Sequence, residues 1–440
     1  MGRVARDVAR DLQTLVNKYS RFHQSTLSIE QFTNFGKNAT PKESFKFLHH
    51  EVPVRLAHIM KEINLLPRNL RRMPSVELVK SWYVQSFLDL MEFHSEREFE
   101  CNDIILDNFA KKLLHIKRRH DNTVETMAQG VIELRDSEGE ESIHPSIQYF
   151  LDRFYMNRIS VRLLMTQHLA LFEENIRSSK SKFIGVFDPN CNVSTVVQDA
   201  ADNARLLCDQ FYYASPDVTI RQHNALENGK PINVAYVPSH LYHIIFELVK
   251  NAMRATVEHH GSDAIDLPRV EVLIGKGQED LTIQVSDRGG GISRNRIEQL
   301  FMYHYTTAPQ PLGSDAIAPL AGYGYGLPLS RLYAKYFGGD IQISSIEGYG
   351  TSANIYLKAF SKHASEVLPL YNSLVAKTYD EADSSGGNSM RDWSSDSFYQ
   401  GQNHSYSKPY LNFLRNKGLG TDGCFIQNAI DDLVYILCTT

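Results

Sequence analysis

His243, Glu247, Lys250, Asn251 and Arg254 fall three and four residues apart, so on a helix they share one face. A carboxylate, an amide and two cations on one face are the groups that a magnesium nucleotide needs. Asn251 offers a neutral oxygen to the metal, and Glu247 can accept a proton. His243, one turn before Glu247, is placed to hold it by a hydrogen bond. Leu241, Ile244, Ile245, Leu248 and Ala252 form a separate apolar stripe on the same stretch, which predicts an amphipathic helix over 240–257. A solvated face would carry a similar polar stripe, so this helix alone does not decide the matter.

Two glycine-rich segments follow. The run Ser286-Asp287-Arg288-Gly289-Gly290-Gly291 ends an alternating stretch. It is either a tight turn or a site where Asp287 accepts from an adenine amino group while the glycines let the ring approach the backbone. The second segment, Gly322-Tyr323-Gly324-Tyr325-Gly326-Leu327, runs into a helix start at Leu329-Ser330-Arg331-Leu332. Glycines before a helix N-terminus make a phosphate cradle, in which bare N–H groups and the positive end of the dipole meet the anion. The stretch between, roughly Tyr303 to Pro319, carries three prolines and the pair Thr306-Thr307, the makings of a lid. With Gly350-Thr351 these motifs stand in the order shared by the ATP-binding domain of DNA gyrase, Hsp90-type chaperones, histidine kinases and MutL, which the segment resembles.

The elements that must position these groups change character along the chain. Apolar residues at helical spacing (Val52 to Ile63, Val76 to Met91, Ile104 to Ile116, Ile147 to Phe172) predict a helical bundle, with Pro67 and Pro74 as breaks and Asp136 to Glu141 as a loop. From about Ile184 the pattern becomes mixed. A turn is expected at Pro189-Asn190, a helix over 193–211, and strands at Leu281–Ser286, Ile341–Ser344 and Ser352–Leu357. The fold expected is therefore a helical bundle over 1–183, then an α/β sandwich over 184–370 of the histidine kinase/gyrase/Hsp90 type. The remainder, 371–440, reads as a tail: Asp380 to Lys408 is rich in Ser, Asn, Gly and Asp, with Trp393 stranded in it, and Phe425 to Leu437 turns apolar again.

Composition sets outer bounds. Hydrophobic residues at 42% and a net charge of −5 suit a folded protein with no global pull toward nucleic acid or anionic lipid. The basic clusters at Arg68, Arg71 and Arg72 and at Lys117 to His120 read as solvated helix faces. Five widely spaced cysteines support neither a disulfide framework nor a zinc site, and no apolar run reaches the length of a membrane span. Arg3, Arg6 and Arg10 hint at a transit peptide while Asp7 and Asp11 argue against one, so the residues leave targeting undecided. His168 is followed by Leu rather than an acid and sits on an apolar stripe, so it reads as a core histidine rather than a phosphate acceptor.

Longer segments carry a closer resemblance. PVRLAHIMKEINLLP from Pro53, SWYVQSF from Ser81, YFLDRFYMNRIS from Tyr149, DPNCNVS from Asp188, VPSHLYHIIFELVKNAMRATVE from Val237 and LAGYGYGLPLSRLYAKYFGGD from Leu320 resemble the mitochondrial pyruvate dehydrogenase kinases. The likeness runs from about residue 10 to about residue 395. It implies a serine kinase that uses ATP and Mg2+ to phosphorylate the E1 α subunit of pyruvate dehydrogenase. That would inactivate the complex and so regulate glucose oxidation and acetyl-CoA formation. The branched-chain ketoacid dehydrogenase kinase, with the same layout, and an ATPase without a protein acceptor are the alternatives. The resemblance makes Glu247 the general base, His243 the residue that polarises it, and Asn251 the magnesium ligand, with Lys250 and Arg254 beside the nucleotide. It makes Asp287, Gly289 and Gly291 the adenine pocket, Thr306 and Thr307 part of the lid, and Gly322, Tyr323, Gly324, Tyr325, Gly326 and Leu327 the phosphate loop, with Thr351 among the nucleotide-binding residues. Leu56, Tyr83, His120, Arg158 and Arg162 match a pocket for pyruvate-like carboxylates, whereas the residues alone favour Arg158 as a capping or pairing residue inside the bundle. Asp392-Trp393 matches a tail motif that crosses to a partner subunit, implying a homodimer docked on the lipoyl domain of dihydrolipoamide acetyltransferase in the mitochondrial matrix. The chain departs from the family in running on from Trp393 to Thr440.

Overall fold

The computed structural model describes residues 2–94, 102–139, 145–172, 182–303, 305 and 324–371. The expectations for Thr306, Thr307, Gly322, Tyr323, Asp392, Trp393 and the apolar end at 425–437 lie outside the described residues.

The first half is helical: α1 (Gly2–Tyr19), α2 (Ile29–Asn38), α3 (Pro41–Leu65), α4 (Arg68–Arg71), α5 (Pro74–Met91), α6 (Asp103–Arg119), α7 (Thr123–Glu138) and α8 (Pro145–Phe172). Local chemistry sets the starts. Ser28 with Gln31 and Thr40 with Glu43 form capping boxes, Asn102 caps α6 through the N–H of Ile105, and Pro41 and Pro74 occupy first-turn positions where no donor is needed. The long helices α3 and α8 pack on each other, with α5 and α6 alongside, and bury Val52, Leu56, Ile59, Phe87, Phe109, Phe150 and Phe154. Gly130 lets α7 close on α5, since a Cβ there would lie 2.5 Å from a methyl of Val76. The acidic stretch expected as a loop is helical as far as Glu138, and Gly139 at φ 89 ends α7. His168 is a core residue, 4% exposed, with its Nδ1 2.7 Å from the hydroxyl of Ser44.

The second half contains β1 (Asp188–Asn192), α9 (Val193–Tyr212), β2 (Val218–Asn224), β3 (Asn233–Tyr236), α10 (Pro238–His260), β4 (Val270–Lys276), β5 (Asp280–Ser286), α11 (Arg294–Ile297), α12 (Gly326–Tyr336), β6 (Asp340–Ile346) and β7 (Gly350–Lys358). Pro189 and Asn190 belong to β1, which pairs antiparallel with β3 through an irregular register, rather than to a free turn. The main sheet has the order β2-β4-β5-β7-β6, with β2 parallel to β4 and the other pairs antiparallel. Alternation decides its faces. Val270, Val272, Ile274, Leu281, Ile283, Val285, Ile355 and Leu357 are buried, and α9, α10 and α12 contact the strands. The alternate residues include Gln284 bonded to Asn354 and Ser286 bonded to Ser352 across β5 and β7.

The chain after β7 returns to the bundle. Glu366 N–H donates to the carbonyl of Leu27, and the Glu366 carboxylate accepts from the N–H of Leu27 at 2.9 Å. Arg55 of α3, with 0% exposure, donates to Glu366 at 2.8 and 3.0 Å, to Glu51 at 2.9 Å and to the carbonyl of Ser25 at 2.7 Å. The hydroxyl of Tyr336 at the end of α12 also donates to Glu366.

Burial holds several imidazoles neutral. It pushes His49 and His240 down to about 3 and His58, His94, His120 and His168 to about 4, from an ordinary 6.5. Each binds protons less readily folded than unfolded, so its contribution is full above about pH 6.5 and is lost as pH falls toward those lower values. Glu62 and Asp287, whose carboxyl pKa values burial raises, work in the opposite direction. Urea unfolding at a series of pH values is therefore expected to show stability falling steadily below about pH 6.5. A flat profile down to about pH 5 would contradict the neutral burial of these rings.

Candidate active site

Helix α10 positions the first group of residues. Leu241, Ile244, Ile245, Leu248, Val249 and Met253 bury one face, and Pro238 starts the helix without needing a donor. The opposite face forms one wall of a cavity of about 690 Å³, within the usual size of a small-ligand site. Of the residues expected to bind, Glu247, Lys250, Asn251, Arg254, Asp287, Gly289, Gly291, Gly324, Gly326, Leu327 and Thr351 line this cavity together. Sequence reasoning missed Ala255, Glu258, His259, Arg296, Tyr305 and Glu347 in the same walls, and Val285, Ile343 and Ala353 beside them. Glu258 and His259 continue the polar stripe of α10 by one more turn, a signal that the spacing carried.

Asp287 directly follows β5, and its Oδ1 accepts from the N–H of Gly289 at 2.8 Å and of Thr351 at 3.3 Å. Burial pushes its carboxyl pKa up, and these two backbone donors oppose the rise. Gly289 crosses directly over α10: a Cβ there would stand 2.5 Å from the carbonyl carbon of Ala255, so only glycine permits the approach. Across the cavity α12 begins at Gly326 with no side-chain cap, so its first-turn N–H groups are of the kind that receive an anion. A Cβ on Gly326 would lie 2.1 Å from Oε2 of Glu247, which places this helix start against that carboxylate.

The carboxylate of Glu247 accepts from Lys250 at 2.8 Å, both side chains being mostly buried. The expected hydrogen bond from His243 to Glu247 is absent among the described residues, and Nε2 of His243 is buried with no partner. Burial lowers the His243 pKa, Glu247 draws it up by charge and Lys250 pushes it down, so the two side chains interact through space. Tyr325 does not line the cavity. It is 6% exposed, its ring 5.9 Å from Tyr155 of α8 and 4.9 Å from Tyr303, whose hydroxyl donates to Asp152 at 2.9 Å.

In the bundle, Tyr83, His120, Arg158, Val161, Arg162 and Met165 enclose a second, small cavity of about 10 Å³, roughly the room of one water. Leu56 is buried but is not part of its wall. Arg158 donates to the carbonyls of His120 at 3.1 Å and Asp121 at 3.2 Å, yet its Nε, like the hydroxyl of Tyr83, is buried without a hydrogen-bond partner. His120 meets Ser86 at 2.9 Å, and Arg162 pairs with Asp121 at 2.8 Å.

No helix among the described residues is long and apolar enough to cross a membrane. The family model of mitochondrial branched-chain alpha-ketoacid dehydrogenase kinase matches residues 26–188, and that of histidine kinase-, DNA gyrase B- and HSP90-like ATPase matches residues 236–360. The second match covers α10, the Asp287 loop and α12, so most of the residues around the large cavity belong to a domain of that ATPase type. The mitochondrial pyruvate dehydrogenase (acetyl-transferring) kinase of Ascaris suum is 52% identical over 83% of this chain and 90% of its own length. That of Drosophila melanogaster is 52% identical over 84% and 90%, and isozyme 1 of Homo sapiens is 51% identical over 83% and 84%. With identities and coverage of this size on relatives that share one enzyme name, the chain belongs to the mitochondrial pyruvate dehydrogenase kinase family.

Proposed function

We propose that this chain transfers the γ-phosphate of ATP to serine hydroxyls of the E1 α subunit of pyruvate dehydrogenase, in the mitochondrial matrix, and thereby inactivates that complex. The observation that carries this reading is the juxtaposition of Glu247 with the uncapped start of α12 on one cavity. A proton acceptor and a phosphate cradle stand where a hydroxyl would meet the γ-phosphate in line. Glu247 takes the serine proton; Asp287 accepts from the adenine amino group; Gly324, Gly326 and Leu327 present backbone to the phosphates. Lys250 and Arg254 add positive charge along the same wall. Catalysis is then positioning and charge neutralisation, with little covalent work by the protein.

The residues present fit a magnesium ion. Asn251 lends the cavity a neutral oxygen, and the described residues contain no cluster of three His, Cys, Asp or Glu able to cage a metal alone. Mg2+ is held mainly by phosphate oxygens and water with one or two protein oxygens, a share that the amide oxygen of Asn251 can supply. When bound, the ion neutralises the phosphate charge that the transfer develops.

A pyruvate-like carboxylate would be received by the unpartnered Nε of Arg158 and hydroxyl of Tyr83, and because the cavity between them has room for only about one water, its walls must part to admit it. The family likeness further supports a homodimer docked on the lipoyl domain of dihydrolipoamide acetyltransferase. A branched-chain ketoacid acceptor shares its name with the model matched over residues 26–188, but the relatives cited above, matched over most of their length, are pyruvate dehydrogenase kinases.

Labelled γ-phosphate supplied with purified pyruvate dehydrogenase tests the reaction. The wild type should place label on serine, and Glu247→Gln and Asn251→Ala should each lower the rate by about a hundredfold or more. ATP binding without any label on the acceptor would overturn the assignment. In the same assay Arg158→Ala should raise the concentration of pyruvate or a halogenated acetate needed for half-inhibition by about tenfold or more. An unchanged inhibition curve would remove the carboxylate from this cavity.

A further inference from the structure

Behind Glu247 lies a column of rings, of which the family likeness gives a task to His243 alone, as the residue that polarises Glu247. His240, His243 and Glu247 follow one another at steps of three and four on α10, one stripe on one side of the helix. Tyr333 of α12 lies against both imidazoles. Its ring centroid is 4.7 Å from that of His240 at an angle of 54° and 4.9 Å from that of His243 at 58°. Tyr336, a buried tyrosine one turn further along the same helix, stands 6.1 Å from His240.

What holds these imidazoles in orientation is packing. Nδ1 of His240 and Nε2 of His243 are buried with no hydrogen-bond partner among the described residues. The torsion that turns an imidazole has broad wells, so without a hydrogen bond the neighbouring surface chooses its setting. Burial keeps both rings neutral, against the pull of Glu247 on His243 and with the push of Lys250. A neutral imidazole still has a dipole, and its effect on a nearby carboxylate depends on which way the ring is turned.

Helix α12 meets the stripe at a second point. It starts at Gly326, where a Cβ would fall 2.1 Å from Oε2 of Glu247, and reaches Tyr333 two turns later. One helix therefore touches the carboxylate with its first residue and both imidazoles with its second buried turn.

We propose that Tyr333 is a positioning residue for the phosphoryl transfer: its ring sets the orientation of His243, and with it the direction of the imidazole dipole one turn from the Glu247 carboxylate, whenever α12 is seated on α10. This rests on Glu247 being the base. The flat ring, rather than the hydroxyl, is the working part, because both contacts are ring to ring.

The test uses the full chain with pyruvate dehydrogenase as acceptor and compares Tyr333→Phe, Tyr333→Leu and Glu247→Gln for kcat, KM for ATP, ADP affinity and thermal midpoint. Tyr333→Phe should keep kcat within about twofold, whereas Tyr333→Leu should lose about tenfold or more in kcat while KM for ATP and ADP affinity hold. A folded Tyr333→Leu with wild-type kcat overturns the proposal. So does a Tyr333→Phe that loses as much as Tyr333→Leu, or a parallel loss of kcat, ADP affinity and thermal midpoint, the pattern of a purely structural contact. If Tyr333→Leu does not fold, Tyr333→Met, of similar bulk and without a ring, is judged by the same criteria. Glu247→Gln separates the two layers. If it remains active, the base assignment itself fails; if it is dead beside a normal Tyr333→Leu, only the positioning role fails.

Discussion

A guanidinium shut away from water has to be matched by charge, and Arg55 is matched from two distant parts of the chain. Burial works against its charge, but Glu366 and then Glu51 more than offset this, and the pKa is raised. Removing one partner of such a group leaves an unpaired buried charge, at a cost of about 3–5 kcal/mol. Against a total stability of about 5–15 kcal/mol, that is enough to dictate where the partners sit. Glu366 can reach Arg55 only if the chain leaving β7 turns back onto the bundle, which it does beside Leu27 and Ile29.

That return fixes α12. The hydroxyl of Tyr336 donates to Glu366, and the N–H of Val367 donates to the carbonyl of Tyr336, so the C-terminal end of the helix is tied to the Arg55 cluster. Its N-terminal end is held separately, through Tyr325 packed on Tyr155 and Tyr303. A helix held at both ends can present Gly326 to Glu247 and Tyr333 to His243 without relying on the nucleotide to order it. Tyr155 stands one turn from Arg158 on α8, so the ring that supports the start of α12 and the small cavity around Arg158 share one helix. In the proposed reading the bundle is thus the rigid backing of the phosphate loop, and not merely a neighbour of it.

Much of this was legible in the residues. The polar stripe of α10 put Glu247, Lys250, Asn251 and Arg254 on one wall, and the alternation of β5 delivered Asp287 to its end. The rest depends on geometry that spacing does not encode. A Gly-x-Gly-x-Gly run says where backbone is bare but not where the interleaved side chains turn, and Tyr325 turns into the bundle. Helical periodicity shows that Leu56 is buried without showing which cavity it would border. His243 lies one turn from Glu247, the spacing behind the expected hydrogen bond, yet its ring packs against Tyr333 and Lys250 takes the carboxylate. The pairing of Arg55 with Glu366 spans 311 positions, and nothing local to either residue announces it.

The central claim is that α10 and α12 bring base and phosphate cradle onto one cavity before the nucleotide arrives. A crystal structure of the full chain with Mg2+ and a non-hydrolysable ATP analogue tests it most directly. The account predicts the adenine beside Asp287 and Thr351, the metal on the amide oxygen of Asn251, and the terminal phosphate between the start of α12 and Glu247, with Tyr333 still against His243. An analogue bound with its terminal phosphate away from both Gly326 and Glu247, or with Tyr333 parted from His243, would contradict it.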